Sequence, residues 1–150
     1  MIADLLAAPA WTDGSGLGYL LEGGGSTVYA SGDTGLFDGM RLLAKRAVDV
    51  ALLPVWGWGP NVGPGHLDPL SAADAVALIR PKIAVPVHWG TLAIAGLTTA
   101  PSPVRRRMRR LLLDPPHSFA AEVAARDLDT RVVVADPGRP VVLASPAAAA

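Results

Sequence analysis

Apolar residues fall into short blocks along this chain, and the blocks change period. Residues 18–33, GYLLEGGGSTVYASGD, hold two β-rich runs joined by three glycines and predict a hairpin. In LFDGMRLLAKRA (36–47), Leu36, Met40, Leu43 and Ala47 recur at helical spacing, while Arg41, Lys45 and Arg46 lie off that face. VDVALLPV (48–55) is a continuous apolar run, the pattern of a strand covered on both faces. After the glycine-rich WGWGPNVGPGHLD (56–68), Asp68 and Pro69 suit a helix N-cap and first helical position. The helix they open has Ala72, Val76 and Ile79 on one face and ends before Pro81. KIAVPVH (82–88) predicts another strand, in which Pro86 is tolerable only near an end or at an edge.

A further helix begins at Ser102–Pro103, with Val104, Met108, Leu111 and Leu112 facing inward. HSFAAEVAARDL (117–128) predicts a shorter one, and TRVVVADPGRPVVL (130–143) reads as strand-like runs around a Pro-Gly turn. Strand, helix, strand, helix, strand is an α/β order with at least one parallel pair. The length of 150 residues fits one domain over 1–145, followed by a frayed tail at 146–150.

Composition narrows the chemistry. Hydrophobic residues make up 51% of the chain, which is globular. Thirteen basic residues balance thirteen acidic ones, so no global field recruits nucleic acid or an anionic membrane, and neither is the expected partner. Cysteine is absent, which excludes thiolate metal sites and leaves His, Asp, Glu or backbone oxygen as ligands. No stretch approaches the ~20 apolar residues of a membrane span. The opening MIADLLAAPAW has no basic n-region and carries Asp4 in its apolar run, so the expectation is a cytoplasmic protein.

Three apolar runs end alike, in VYASGDTG, ALLPVWGWG and IAVPVHWG. Open α/β sheets bind ligands beyond the carboxyl ends of their strands. The outer two runs place Asp33 and His88 there, and the middle one places Trp56 and Trp58. Carboxylate and neutral imidazole are ordinary ligands for zinc, manganese or iron, so Asp33 and His88 can share a metal. The plainer alternative is an aspartate capping a turn and a histidine packed under Trp89. Trp56, Trp58 and Trp89 suit either the wall of a small-molecule cleft or core packing between loops.

The blocks YASGDTGLF, VDVALLPVWGWGPNVGPGHLDP and IAVPVHWGTL, in this order and spacing, strongly resemble the metallo-β-lactamase superfamily. Within it they look like the branch of ascorbate-phosphate lactonase-like and N-acyl-phospholipid phosphodiesterase-like enzymes. The likeness covers about residues 9–97. It implies an αββα sandwich, a mixed sheet flanked by helices, with two metal ions, usually zinc, at one edge. A hydroxide between the metals would attack an ester, lactone, amide or phosphodiester. On this resemblance Asp33 matches the carboxylate that bridges the metals, and His88 matches a ligand of the second metal. His66 matches a position beside the metals that assists the leaving group or binds substrate. Asp68 would orient His66 or a ligand from behind, or act simply as the helix cap.

The sequence also departs from that pattern. His-x-His-x-Asp-His occurs nowhere in it, and APAWTDGSGLGYL has Trp11 after Pro9 and Ala10, where the family places another histidine. The resemblance therefore implies the C-terminal half of a hydrolase, with one wall of a two-metal site. Alone it is expected to be inactive and to hold no zinc firmly. The missing half would come from the same gene or from a partner. Such a half would leave an apolar sheet face uncovered and so dimerise or aggregate. The alternative is a non-catalytic binding module using the tryptophans or SPVRRRMRRLLL, which concentrates five arginines on one helix. His117 reads as a surface residue with no role.

Overall fold

Each strand lies beside its neighbour in sequence. The computed structural model describes residues 2–7 (main chain only), 17–55, 63, 65–90, 102–136 and 138–143. Strands β1 (Ile2–Ala7), β2 (Leu17–Gly23), β3 (Ser26–Ala30), β4 (Val50–Pro54), β5 (Ile83–Val87) and β6 (Arg131–Val132) form one sheet in chain order. The β1/β2 and β2/β3 pairings are antiparallel, and the remaining three are parallel. The β2–β3 hairpin turns through Gly24 and Gly25, at φ 60° and 77°, the left-handed pair that a two-residue turn requires.

Parallel neighbours need crossovers. A 3₁₀ helix (Asp38–Arg46) connects β3 to β4, α1 (Pro69–Ile79) connects β4 to β5, and α2 (Ser102–Leu113) with α3 (Pro115–Ala125) connects β5 to β6. Right-handed crossovers stepping in one direction stack their helices on one side of a sheet. In agreement, α1 packs against both the 3₁₀ helix and α3. The main core lies under them. Leu20, Tyr29, Leu53 and Ala84 from the sheet meet Met40, Leu43, Val76, Ile79, Phe119 and Val123. On the opposite face Val50, Ile83 and Val85 are buried, with Val133, Ala135 and Leu143 packed over them. Beyond that cover, Leu17, Tyr19 and Leu21 of β2 are exposed.

The mixed sheet flanked by helices is the fold class that the pattern implies, and several details differ. The 36–47 element is a 3₁₀ helix of nine residues. Its buried residues, Met40 and Leu43, are three apart, so a period of three sets both on one line. Leu36 and Ala47 are exposed, and Ala47 ends the helix at φ 47°. Val104 is also exposed, because the inward seam of α2 is the i, i+4 pair Met108 and Leu112. The C-terminal run forms only the two-residue β6. Residues 138–143 add no strand, although Arg139 N–H donates to the Asp136 carbonyl at 3.1 Å as a turn would. Strand β1 went unpredicted: its alanines and leucines have weak strand preference, and its pairing with β2 is long-range.

Pro86 sits inside β5, yet it breaks no ladder. Ile83 N–H donates to Asp49 and the Val87 carbonyl accepts from Val55, both on the β4 side. The Ala84 carbonyl accepts from Val133 on the other side. Pro86 shares the side of Ala84, past the end of β6, and its carbonyl accepts the indole N–H of Trp89 at 3.2 Å. The missing donor therefore falls where the sheet has already stopped.

Candidate metal-binding edge

Strands β3, β4 and β5 run parallel and deliver their C-terminal ends to one edge. β3 and β5 flank β4, so their tips are about 10 Å apart, two strand spacings.

At the β3 tip, Ser31 N–H donates to the Leu52 carbonyl at 3.2 Å and extends the ladder by one residue. Ser31 and Thr34 are buried, and Asp33 between them is exposed. Gly32 makes this turn at φ 62°, and a β-carbon there would collide with the Leu17 carbonyl oxygen. Only glycine fits, and it lifts Asp33 to the rim. The Thr34 hydroxyl is buried with no hydrogen-bond partner among the described residues.

The segment after β4 returns to this turn at one close crossing. A β-carbon on Gly35 would lie 3.0 Å from the Cα of Gly65, so the two backbones meet where neither carries a side chain. The crossing sets His66 beside Asp33, with Nε2 3.3 Å from Oδ2 and both side chains roughly half exposed. Two residues on, Asp68 is the N-cap of α1. Its Oδ1 accepts from Ser71 N–H at 2.8 Å and from the Ser71 hydroxyl at 2.6 Å, and that hydroxyl accepts from Asp68 N–H at 2.9 Å. These are the hydrogen bonds of a capping box, and they anchor the loop that carries His66.

At the β5 tip, His88 follows the last ladder residue in the left-handed region at φ 61°, and Gly90 follows at φ 78°. A left-handed non-glycine residue is strained, and such strain collects where function requires a set geometry. Trp89 is partly buried against the main core, so packing occupies at least one side of its ring. Trp56 and Trp58 lie outside the described residues.

The structure thus brings Asp33 to His66 and places His88 on the same sheet edge. Among the described residues no three His, Asp or Glu side chains gather as a metal cluster. The donor chemistry suits a divalent cation, but the donor count falls short of the three protein ligands a catalytic zinc site keeps. Sequence spacing missed the Asp33–His66 contact, whose signal was the pair of glycines at 35 and 65.

Residues 5–89 match the family described as "Beta-lactamase superfamily domain". The chain belongs to the metallo-β-lactamase superfamily. Among curated relatives, a UPF0173 metal-dependent hydrolase of Methanopyrus kandleri is 35% identical over 126 residues, covering 83% of this chain and 45% of its own length. Another from Symbiobacterium thermophilum is 41% identical over 87 residues, covering 55% of this chain and 36% of its own length. Igni18, a metallo hydrolase from Ignicoccus hospitalis, superposes with a TM-score of 0.63 at 28% identity, over 93% of this chain and 52% of that structure. This superfamily member therefore spans about a third to a half of the relatives it matches.

Proposed function

We propose that this chain supplies one wall of the site of a metal-dependent hydrolase acting on an ester, lactone or phosphodiester. The carrying observation is Asp33, past the tip of β3, in contact with His66 on the loop that returns from β4, on a chain whose relatives are named metal-dependent hydrolases. The motif blocks favour the lactonase-like and phosphodiesterase-like branch.

Asp33 and His88 would be metal ligands. A pair of zinc ions, when bound, would lower the pKa of a shared water toward neutrality. An ionised carboxylate offers about four lone-pair sites on two oxygens, so contact with His66 through Oδ2 leaves Oδ1 for a cation. Protonated His66 can keep its Nε2 proton on Asp33 and pass it to a leaving oxygen. Trp89 would border the substrate, as would Trp56 and Trp58. The donors that complete the site would come from a segment bearing the His-x-His-x-Asp-His pattern, in the same protein or a partner.

Zinc titration of the purified chain, with hydrolysis of a nitrophenyl ester, a lactone and bis(nitrophenyl) phosphate, tests this reading. The chain alone should bind zinc weakly and turn over none of the three. Asp33→Ala and His88→Ala should each weaken the residual binding by at least about tenfold, the lower end of what losing even an outer partner of a metal ligand costs. Zinc binding indifferent to both substitutions would remove the ligand assignment. Tight stoichiometric zinc with turnover by the chain alone would show that the site is already complete.

A further inference from the structure

Four cations outside α2 form ion pairs with carboxylates. Arg41 pairs with Asp38, Arg46 with Glu22, Lys82 with Asp49, and Arg126 with both Asp74 and Glu122. Arg105, Arg106, Arg107, Arg109 and Arg110 are all exposed, and no described carboxylate lies within ion-pair distance of any of them. Helix α2 contains no acidic residue. Zero net charge over the whole chain therefore conceals a segregated surface.

At about 100° per residue these arginines cover roughly 200° of the helix, opposite the buried Met108 and Leu112. Like charges three and four residues apart, such as Arg105 with Arg109 and Arg106 with Arg110, destabilise a helix, and a bound polyanion would relieve them. Guanidinium groups match phosphate oxygens as a fork, where an ammonium offers only a point charge. The helix is about 18 Å long, the rise of about five phosphates along one nucleic-acid strand.

We propose that α2 binds the phosphodiester backbone of a nucleic acid without reading its sequence. Residues 102–113 contain no aromatic side chain to stack on bases, so the contact is with phosphates alone. A membrane surface fits less well. The apolar seam of α2 is spent against the body of the protein, and its exposed apolar residues, Val104 and Leu113, point to opposite sides. The platform is tied to the candidate edge, since a β-carbon on Gly90 would lie 3.9 Å from the Leu112 carbonyl. The proposal goes beyond the hydrolase reading and does not depend on metal.

Fluorescence anisotropy tests it, using the full chain in EDTA with a labelled 20-nucleotide poly(U) RNA and the equivalent poly(dT) DNA. Both should bind. For three or four phosphate contacts, affinity should fall about 20- to 50-fold between 50 and 200 mM salt. Replacing all five arginines with glutamine should abolish binding, and replacing all five with lysine should retain most of it. Should the glutamine variant fold poorly by circular dichroism, Arg109→Gln with Arg110→Gln should still lower affinity and flatten the salt slope. Asp33→Ala, which should weaken zinc binding, should bind both oligonucleotides like the parent, so failure of the ligand assignment and failure of this proposal are separable. Absence of binding at 20 mM salt overturns the proposal, as does binding indifferent to the glutamine changes. Binding to phosphatidylserine vesicles but to neither oligonucleotide would overturn it in favour of a membrane surface.

Discussion

The core beneath the helices and the C-terminal edge of the sheet follow opposite rules. In the core Leu20, Leu53, Val76 and Phe119 are buried in ordinary strand and helix geometry, and apolar area does the stabilising. At the edge Asp33 and His66 are half exposed, His88 is left-handed, and Gly32 and Gly65 adopt positive φ. The difference shows where each region is vulnerable: the core to lost volume, the edge to a change of backbone freedom.

The largest expected effect lies at a residue with no side chain. Gly32→Ala should destabilise by about 2 kcal/mol, from left-handed strain plus the clash with Leu17, and should displace Asp33. Chemical denaturation would measure this; a cost of only a few tenths would mean the turn adapts. A smaller effect is expected at His88, where φ 61° favours glycine. His88→Gly should be about 1 kcal/mol more stable than His88→Ala. Equal stability of the two would show that the backbone there is not strained.

Least affected at neutral pH should be Tyr29→Phe, although Tyr29 is among the most buried side chains. Its hydroxyl has no hydrogen-bond partner among the described residues, so removing it should change stability by less than about 0.5 kcal/mol. Burial pushes the phenol up from 10.0 to about 12. The neutral form is favoured in the folded state, so this contribution is complete below pH 10 and is lost as pH rises toward 12. Urea melts at pH 9 and 11 should show that loss in the parent and less of it in the variant. An identical decline in both would place the alkaline sensitivity elsewhere.

Legibility divided along the same line. Asp68 as a helix cap could be read directly, because the cap and its partner Ser71 are three residues apart. The β2–β3 hairpin was legible in its glycines, and the buried β4 in its unbroken apolar run. The Pro86 rule held because the alternation of β5 carries that residue past the end of β6. The resemblance put Asp33 and His66 in one site, but their direct contact was not legible, since it depends on a crossing between residues 35 and 65. β1 was hidden for a similar reason, as a strand of modest propensity forms only where β2 offers an edge. The 3₁₀ helix was hidden more subtly: Met40 and Leu43 satisfy a period of three or of 3.6, and packing chose between them.

Sequence alone determined the order of strands and helices after β1, the superfamily resemblance and which candidate ligands are present. Those follow from short-range patterns and from which residue types are present. Tertiary structure alone decided that Asp33 meets His66, that His88 leaves its strand left-handed, and that five arginines share one exposed face without a carboxylate to pair them. Each of these depends on how segments distant in sequence pack together, which local preference does not specify.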